Sequence, residues 1–525
     1  MYVEPNSTVY LMKNVPLDPT YQHTVLFNSR ENQAAVMLTY TEAGLIFEKQ
    51  SYQRHGRGYM KVAKNVGELL NCNYMMFRNY NSETLDYDRW FYAFVTDVEY
   101  VNEVTTLVRY EIDIMQTWLF DYQLDPVFVE REHSTTDVPG DNLIDDKLER
   151  GEFVFRDFLP TDQLTNCGIV IYSTFDPDSG DAGEDVTGGM YGNLYSAAKP
   201  FWFDNATSAN TFIQACTTAS KAPGCIVGVF MCPDAYKLSI ETAGQAALNR
   251  PLTYTKNYTD IDGYVPKNKK LFTQPYNFLH VTNLCGSSLD LGYEYFSTEN
   301  CQLVLAGAPS LNCDVILMPN YYKGVGGNTA QGELLGNPNE IISLTDFPMC
   351  CYSVDAFTAW YAQNKGSYIS GKVNQLVGAA GQFATGNILG GVSTLITGVS
   401  STIGELRDKS VQPPNVTGTP ATSSIYASGQ LDFWVGHVTI KAQFAKVIDE
   451  YWSKFGYPSH RIKVPNRNAR ANWNYVKTQG CEFTGSIPAS DAERIKSIYD
   501  NGVTFWNDIT KVGQYGDFTN PSTHS

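Results

Sequence analysis

Positive charge is scarce in this chain. Its 38 Lys and Arg stand against 55 Asp and Glu, a formal net charge of −17. That balance excludes an extended phosphate-binding face, which is built from Lys and Arg. Disulfide staples are also unexpected: the eleven cysteines are odd in number and scattered, no CxxC occurs, and Cys350 and Cys351 are adjacent, a poor geometry for a bridge. Reduced thiols and folding in a cytoplasm are the expectation, in keeping with a first stretch that lacks the basic start and apolar core of a secretory signal. There is no HExxH, no Walker loop and no GxSxG. The seven histidines (His23, His55, His133, His280, His437, His460 and His524) never approach one another in sequence. The most telling absence is local: residues 373–404 contain no charged side chain.

That segment reads VNQLVGAAGQFATGNILGGVSTLITGVSSTIG. Apolar residues recur in it at helical spacing: Val373, Leu376, Val377, Ala380 and Phe383, then Ile388, Leu389, Val392, Leu395, Ile396, Val399 and Ile403. The opposite face is Gly, Ser, Thr, Asn and Gln, and Gly386 and Gly390 have the small-residue spacing that lets helices approach in lipid. Seven glycines make it a poor autonomous helix, at roughly 1 kcal/mol each relative to Ala. A constitutive span wants about 20 predominantly apolar residues, and this one is diluted by glycine and hydroxyls. Two readings fit: a segment sheltered in the soluble protein and lipid-compatible when released, or a Gly-rich helical hairpin packed inside a large fold.

The rest of the chain has ordinary globular composition, and its 13% aromatic content, with 34 Tyr, leans toward β-structure. Residues 89–95 read as a buried strand and 108–114 alternate strictly, with Val108, Tyr110, Ile112 and Ile114 on one face. Asn102 between them marks a hairpin. Residues 125–131 continue extended, and 132–151 read as a long exposed loop. From 152 to 345 the pattern is irregular, with short strands at 168–172 and 225–231 and a helix at 205–219: a second, β-dominated domain. Beyond it come a helix at 355–364 carrying Phe357, Trp360 and Tyr361 on one stripe, a Pro/Thr/Ser linker at 411–424, and a helix at 442–455. Ser490 to Glu493 has capping-box form, the helix it opens stops at Gly502, and 503–506 read as a last strand.

Three clusters are candidates for chemistry. Asp176, Asp178, Asp181, Glu184 and Asp185 crowd one turn, and clustered oxygens suit Ca²⁺, but the order of Gly180 and Asp181 fails the helix–loop–helix calcium pattern; a solvated acidic turn is the simpler reading. Residues 460–470 form a basic cluster that suits DNA or lipid phosphate, or a salt-bridged subunit contact. Glu130, Glu132 and His133 place two carboxylates beside an imidazole, as acid–base hydrolysis requires; an electrostatic network on an alternating strand is the alternative. No constellation makes an enzyme, and none calls for a metal or other cofactor.

Particular strings carry a family resemblance. FVEREHSTTDVPGDNLIDDKLERGEFV (128–154), preceded by YEIDIMQTWLFDYQ (110–123), resembles the tail knob, or distal tail tube, proteins of phi-29-type short-tailed bacteriophages. LMKNVPLDPTYQHTVLFNS near the start, DAFTAWYAQN (355–364) and the run 473–506 are similar to theirs in the same order. The resemblance implies a fold that is mainly β with some α: a β-barrel-like tail tube domain at 1–151, a mixed β-rich knob domain at 152–345, a helix at 346–370 at the base of a long apolar loop insertion, the membrane-active loop and linker at 371–430, and a C-terminal region, 431–525, returning to the tube. It implies a homohexamer that conducts phage DNA through its lumen without sequence-specific binding. Apolar loops, here 373–404, would plug that lumen and insert into the host cell membrane during genome ejection. The partners implied are proximal tail and collar proteins, and the place is the virion tail tip, after assembly in the host cytoplasm. Two other readings remain open: a receptor-binding or cell-wall-degrading tail-tip protein, and a purely structural tail subunit.

Overall fold

A computed structural model describes residues 6–353 and 433–520, apart from short stretches at 82, 85, 162–166, 187–188, 192–193, 197, 222–223, 234–236, 238–247, 284–285, 308–314, 323–332, 335–336, 342, 345–349 and 517–519. The chain divides into two compact units. Unit 1 comprises Met1–Glu149, Pro266–Lys270 and Ala445–Ser525; unit 2 comprises Arg150–Val265 and Leu271–Phe444. Strand Trp434–Ile440 thus belongs to unit 2, and the C-terminal region joins unit 1 from Ala445.

Unit 1 is built on two sheets. The first contains β1 (Ser7–Lys13), β3 (Ile46–Gln50), β4 (Arg57–Val62), β5 (Cys72–Arg78), β6 (Phe91–Asn102) and β7 (Thr105–Ile112), in the order β3-β1-β5-β6-β7-β4. Central β5 buries Tyr74, Met75, Met76 and Phe77 in succession, as expected of a strand covered on both faces. The alternation of 108–112 is observed: Val108, Tyr110 and Ile112 are buried, while Arg109 pairs with Glu99 and Glu111 with Arg57. Ile114, assigned to that strand from its spacing, instead opens a helical turn, Ile114–Thr117, because the Asp113 carboxylate caps it by accepting from the Gln116 N–H. The β6–β7 hairpin turns at Asn102, whose side chain accepts from the Val104 N–H.

The second sheet interleaves both ends of the chain: β2 (His23–Val25), β8 (Val127–Glu132), β9 (Tyr457–Lys463), β10 (Trp473–Gln479) and β11 (Val503–Trp506), ordered β2-β11-β10-β8-β9. β2 runs parallel to β11, and the other pairings are antiparallel. Trp473 and Trp506 are fully buried with ring centroids 5.3 Å apart. Truncating either to Ala costs about 3–5 kcal/mol on the scale of buried aromatics. Helix α1 (Ala442–Phe455) has the predicted bounds and buries Ala445, Ile448, Asp449 and Trp452.

Helix α2 (Ala489–Asn501) ends as expected at Gly502, φ +92. Its start corrects the capping-box reading. The helix opens after Pro488, whose φ of −58 and carbonyl, accepting from the Asp491 and Ala492 N–H groups, begin the first turn without a side-chain cap. The Ser490 hydroxyl turns to Asp491.

In unit 2, Phe153–Pro160, Trp434–Ile440, Asn277–Thr282 and Ser288–Gly292 form one four-stranded sheet. Lys199–Phe203, Cys167–Ser173, Ile226–Pro233 and Cys350–Ser353 form another, and Leu248–Tyr254, Cys301–Gly307 and Ile316–Asn320 a third of three strands. The expected helix is Ala206–Thr218, capped by the Asn205 side chain accepting from Ser208 N–H at 2.9 Å. Phe212 packs it on Phe201 and Phe203. The unit's core gathers Leu279, Val281, Tyr293, Leu303, Leu317 and Val435.

Candidate functional site

The apolar positions of the charge-free segment, from Val373 to Ile403, lie outside the described residues, as do the helix at 355–364 and the linker at 411–424. The described chain stops at an edge strand, Cys350–Ser353, and resumes at Phe433, leading into Trp434–Ile440, which is hydrogen-bonded on both sides. Both ends belong to unit 2. Among the described residues no helix is long and apolar enough to cross a membrane.

The Glu130–His133 cluster is described in full. β8 carries a bulge between Val129 and Arg131, which breaks the side-chain alternation and leaves Arg131 and Glu132 buried together. Glu130 pairs with Lys477 at 2.7 Å. Glu132 pairs with Lys463 and accepts from the Asn466 N–H. Arg131 donates to the Gly456 carbonyl and to Asp146, with its guanidinium 4.8 Å from the Tyr451 ring.

His133 is committed at both nitrogens: Nδ1 accepts from the Tyr475 N–H at 2.8 Å, which leaves Nε2–H to donate to the Ser453 carbonyl at 3.1 Å. Burial, reinforced by the Arg470 charge, pushes its pKa down to about 3. A neutral imidazole with no free nitrogen cannot relay protons. The cluster is an electrostatic network, not an acid–base pair.

The network continues into the 132–151 loop, which corrects the reading of that loop as simply exposed. Asp146 also accepts from Trp452 Nε1 at 2.6 Å. Asp137 accepts from the Tyr457 hydroxyl at 2.7 Å and lies 3.7 Å from Arg470, and burial raises its pKa. Lys270 donates to the Ile144 carbonyl, and burial lowers its pKa to about 8. Asp449, wholly buried, accepts from the Lys267 and Asn268 N–H groups at 2.8 and 2.9 Å and from Asn268 Nδ2 at 2.8 Å. The loop's acids therefore serve as partners for cations and ring donors far away in sequence. Asp449 carried a signal that went unread: an acid on the apolar stripe of an amphipathic helix needs a buried donor. A cavity of about 330 Å³ separates the loop from β9, lined by Asp141, Asn142, Arg461 and Lys463 among others.

The basic cluster is largely consumed inside the unit. Lys463 and Arg470 take the acids just named, and Arg467 lies 5.7 Å from the Tyr122 ring. Three of the cluster's cations thus have partners within the unit. In the acidic turn, Asp176 and Glu184 face each other across a two-stranded hairpin. Asp176 pairs with Lys199, Asp185 with Lys221, and Glu184 accepts from the Ser179 hydroxyl. Among the described residues no group of three or more His, Cys, Asp or Glu is placed to hold a metal ion.

The described site is thus a structural junction. Comparison with known proteins gives the family. Residues 240–517 match the family model of the tail knob protein gp9 of Bacillus phage phi29, C-terminal domain. The chain belongs to this tail knob family. Residues 5–123 of the tail knob chain match a caudoviral major tail protein N-terminus. It is 26% identical to the tail knob protein gp9 of Bacillus phage PZA and 24% identical to that of phi29, covering 98% of this chain and of each relative. The solved tail knob protein gp12 of bacteriophage C1 shares its fold, with a TM-score of 0.60 at 13% identity over 98% of this chain and 99% of that one. The tail knob chain is a structural protein of the phage tail, and its place is the virion.

Proposed function

We propose that this tail knob protein assembles as a homohexameric, DNA-conducting end of the tail, and that residues 373–404 plug its lumen and insert into the host cell membrane during genome ejection. The observation that carries the reading is the run of 32 uncharged residues with a helical apolar stripe in a chain of this family. Six such segments inside one ring bury against one another. In lipid their backbone groups must be bonded internally, which requires helix. Support for self-association comes from unit 1: β9 ends its sheet with Ile462 76% exposed, and the β6–β7 tip leaves Tyr100 and Val104 61% and 69% exposed. Ring closure covers such edges. A net charge of −17 suits a lumen that DNA traverses without adhering. The role is mechanical and not enzymatic, with assembly in the host cytoplasm and docking to proximal tail and collar proteins.

The test is dye release from liposomes by the purified protein, with and without acid. Leu395→Asp with Val399→Asp removes leakage, since a charge at mid-bilayer costs roughly 3 kcal/mol; aspartates at Ser393 and Ser400 are tolerated better. Leakage by the Leu395/Val399 variant at the parent level overturns the membrane reading. A strict monomer by light scattering at micromolar concentration overturns the ring.

A further inference from the structure

The 132–151 loop of unit 1 is fastened at two places and stands clear of the sheet between them. On one side Asp137 holds the Tyr457 hydroxyl at 2.7 Å; on the other Lys270 holds the Ile144 carbonyl, and Asp146 accepts from Trp452 Nε1 at 2.6 Å. The stretch between these anchors opens with a turn of type II form. Pro139 stands second and Gly140 third with φ +106, and the Asp141 N–H donates to the Val138 carbonyl at 3.1 Å. A loop that served stability alone would settle its apolar side chains on the strand beneath it. Val138 and Leu143 instead remain 60% and 38% exposed, and the cavity of about 330 Å³ lies between this arch and β9.

The ion-pair network leaves three side chains of the cavity unused. Asp141, Ser459 and Arg461 line it, and among the described residues none of the three has a side-chain hydrogen bond or an ion pair. Glu132 and Lys463 also line it and are paired with each other. This lining discriminates between ligands. A phosphate or other bare anion would face two carboxylates, Glu132 and Asp141, beside the two cations. An apolar ligand would take Asp141 and Arg461 out of water without partners. A free carboxylate, a free guanidinium and a hydroxyl, with Leu143 and Pro458 supplying apolar surface, are satisfied together by a ring that carries hydroxyls on its edge and C–H groups on its face. We propose that this cavity binds one pyranose unit of a neutral polysaccharide. Asp141 accepts from the sugar hydroxyls, Arg461 donates to sugar oxygens, Ser459 does either, and the C–H face lies on Leu143 and Pro458. The volume is at the low end of the range for ligand pockets, about 300–1,000 Å³, which suits one ring. Recognition of this kind needs neither the ring assembly nor membrane insertion, so its outcome is separate from theirs.

The experiment is saturation-transfer difference NMR on the full chain with methyl glucopyranoside, methyl galactopyranoside and N-acetylglucosamine, each at millimolar concentration. Transfer to the ring protons of at least one sugar is expected. Asp141→Ala and Arg461→Ala each weaken its affinity by about tenfold or more, as loss of a hydrogen bond to a charged group does. Both side chains are exposed, so the thermal midpoint of either variant without sugar stays at the parent value. No transfer to any of the three sugars overturns the proposal. So does transfer that survives both substitutions, and so does displacement of the sugar by inorganic phosphate at equal concentration.

Discussion

His133 makes unit 1 acid-sensitive, by an amount that follows from its surroundings. The ordinary value of 6.5 falls to about 3 in the folded chain because the imidazole is buried beside Arg470. A depressed folded pKa contributes stability that is present above pH 6.5 and is lost as pH falls toward 3, because the unfolded chain then binds a proton that the folded chain refuses. The gap corresponds to ~5 kcal/mol in full, ~2 kcal/mol of it lost by pH 5.

The perturbation is His133→Gln. It keeps one of the two hydrogen bonds that join His133 to Tyr475 N–H and Ser453 O and removes the titration. At pH 7 the variant is weaker by about 1–2 kcal/mol, the cost of the orphaned partner. At pH 5 the two proteins converge, and at pH 4 the variant is the more stable. The assay is the urea midpoint followed by tryptophan fluorescence at pH 7, 6, 5 and 4, since Trp452, Trp473 and Trp506 are all fully buried in unit 1. Other acids titrate equally in both proteins and cancel in the difference. Parallel stability curves across this range would refute the burial argument.

Asp113 behaves with the opposite sign. Burial pushes it up to about 6 against an ordinary 3.8, so its contribution is complete below pH 3.8 and is lost as pH rises through 6. Asp113→Asn should therefore gain ~3 kcal/mol on wild type between pH 3 and pH 8, and an unchanged difference in urea midpoint counts against it. Gly456 and Gly480 share a positive φ, +67 and +68, but a Cβ at Gly456 would lie 2.2 Å from the Glu132 carbonyl oxygen while one at Gly480 meets nothing within 4 Å. Gly480→Ala should cost ~1 kcal/mol and Gly456→Ala more than ~3 kcal/mol; equal thermal shifts would refute the steric account. Asp449→Ala strips partners from the Lys267 and Asn268 N–H groups and the Asn268 amide, with an expected loss of roughly 3–5 kcal/mol by the same urea assay.

What could be read in advance was local. The two-residue period of 108–112, the amphipathic stripe of α1, and the Asn205 cap are set within a few residues by backbone geometry. The charge-free run at 373–404 is likewise a property of sequence alone, and so was the family, because its strings are specific. The reading failed where a local pattern met a competing partner: Asp113 ended a strand that spacing would have continued, Pro488 displaced a capping box, and the β8 bulge put Glu132 in the interior.

Partnership at long range was decided only by the fold. Nothing near residue 24 announces that β2 will lie beside β11, and nothing near Arg131 or Asp146 points to Tyr451 and Trp452. A buried charge or imidazole takes its meaning from the groups that replace water around it. Sequence therefore determined which elements and which family this chain would have. The tertiary structure decided that Glu130, Glu132 and His133 are ion-pair and hydrogen-bond partners of Lys477, Lys463, Tyr475 and Ser453, because burial and fixed hydrogen bonds leave the imidazole no free nitrogen.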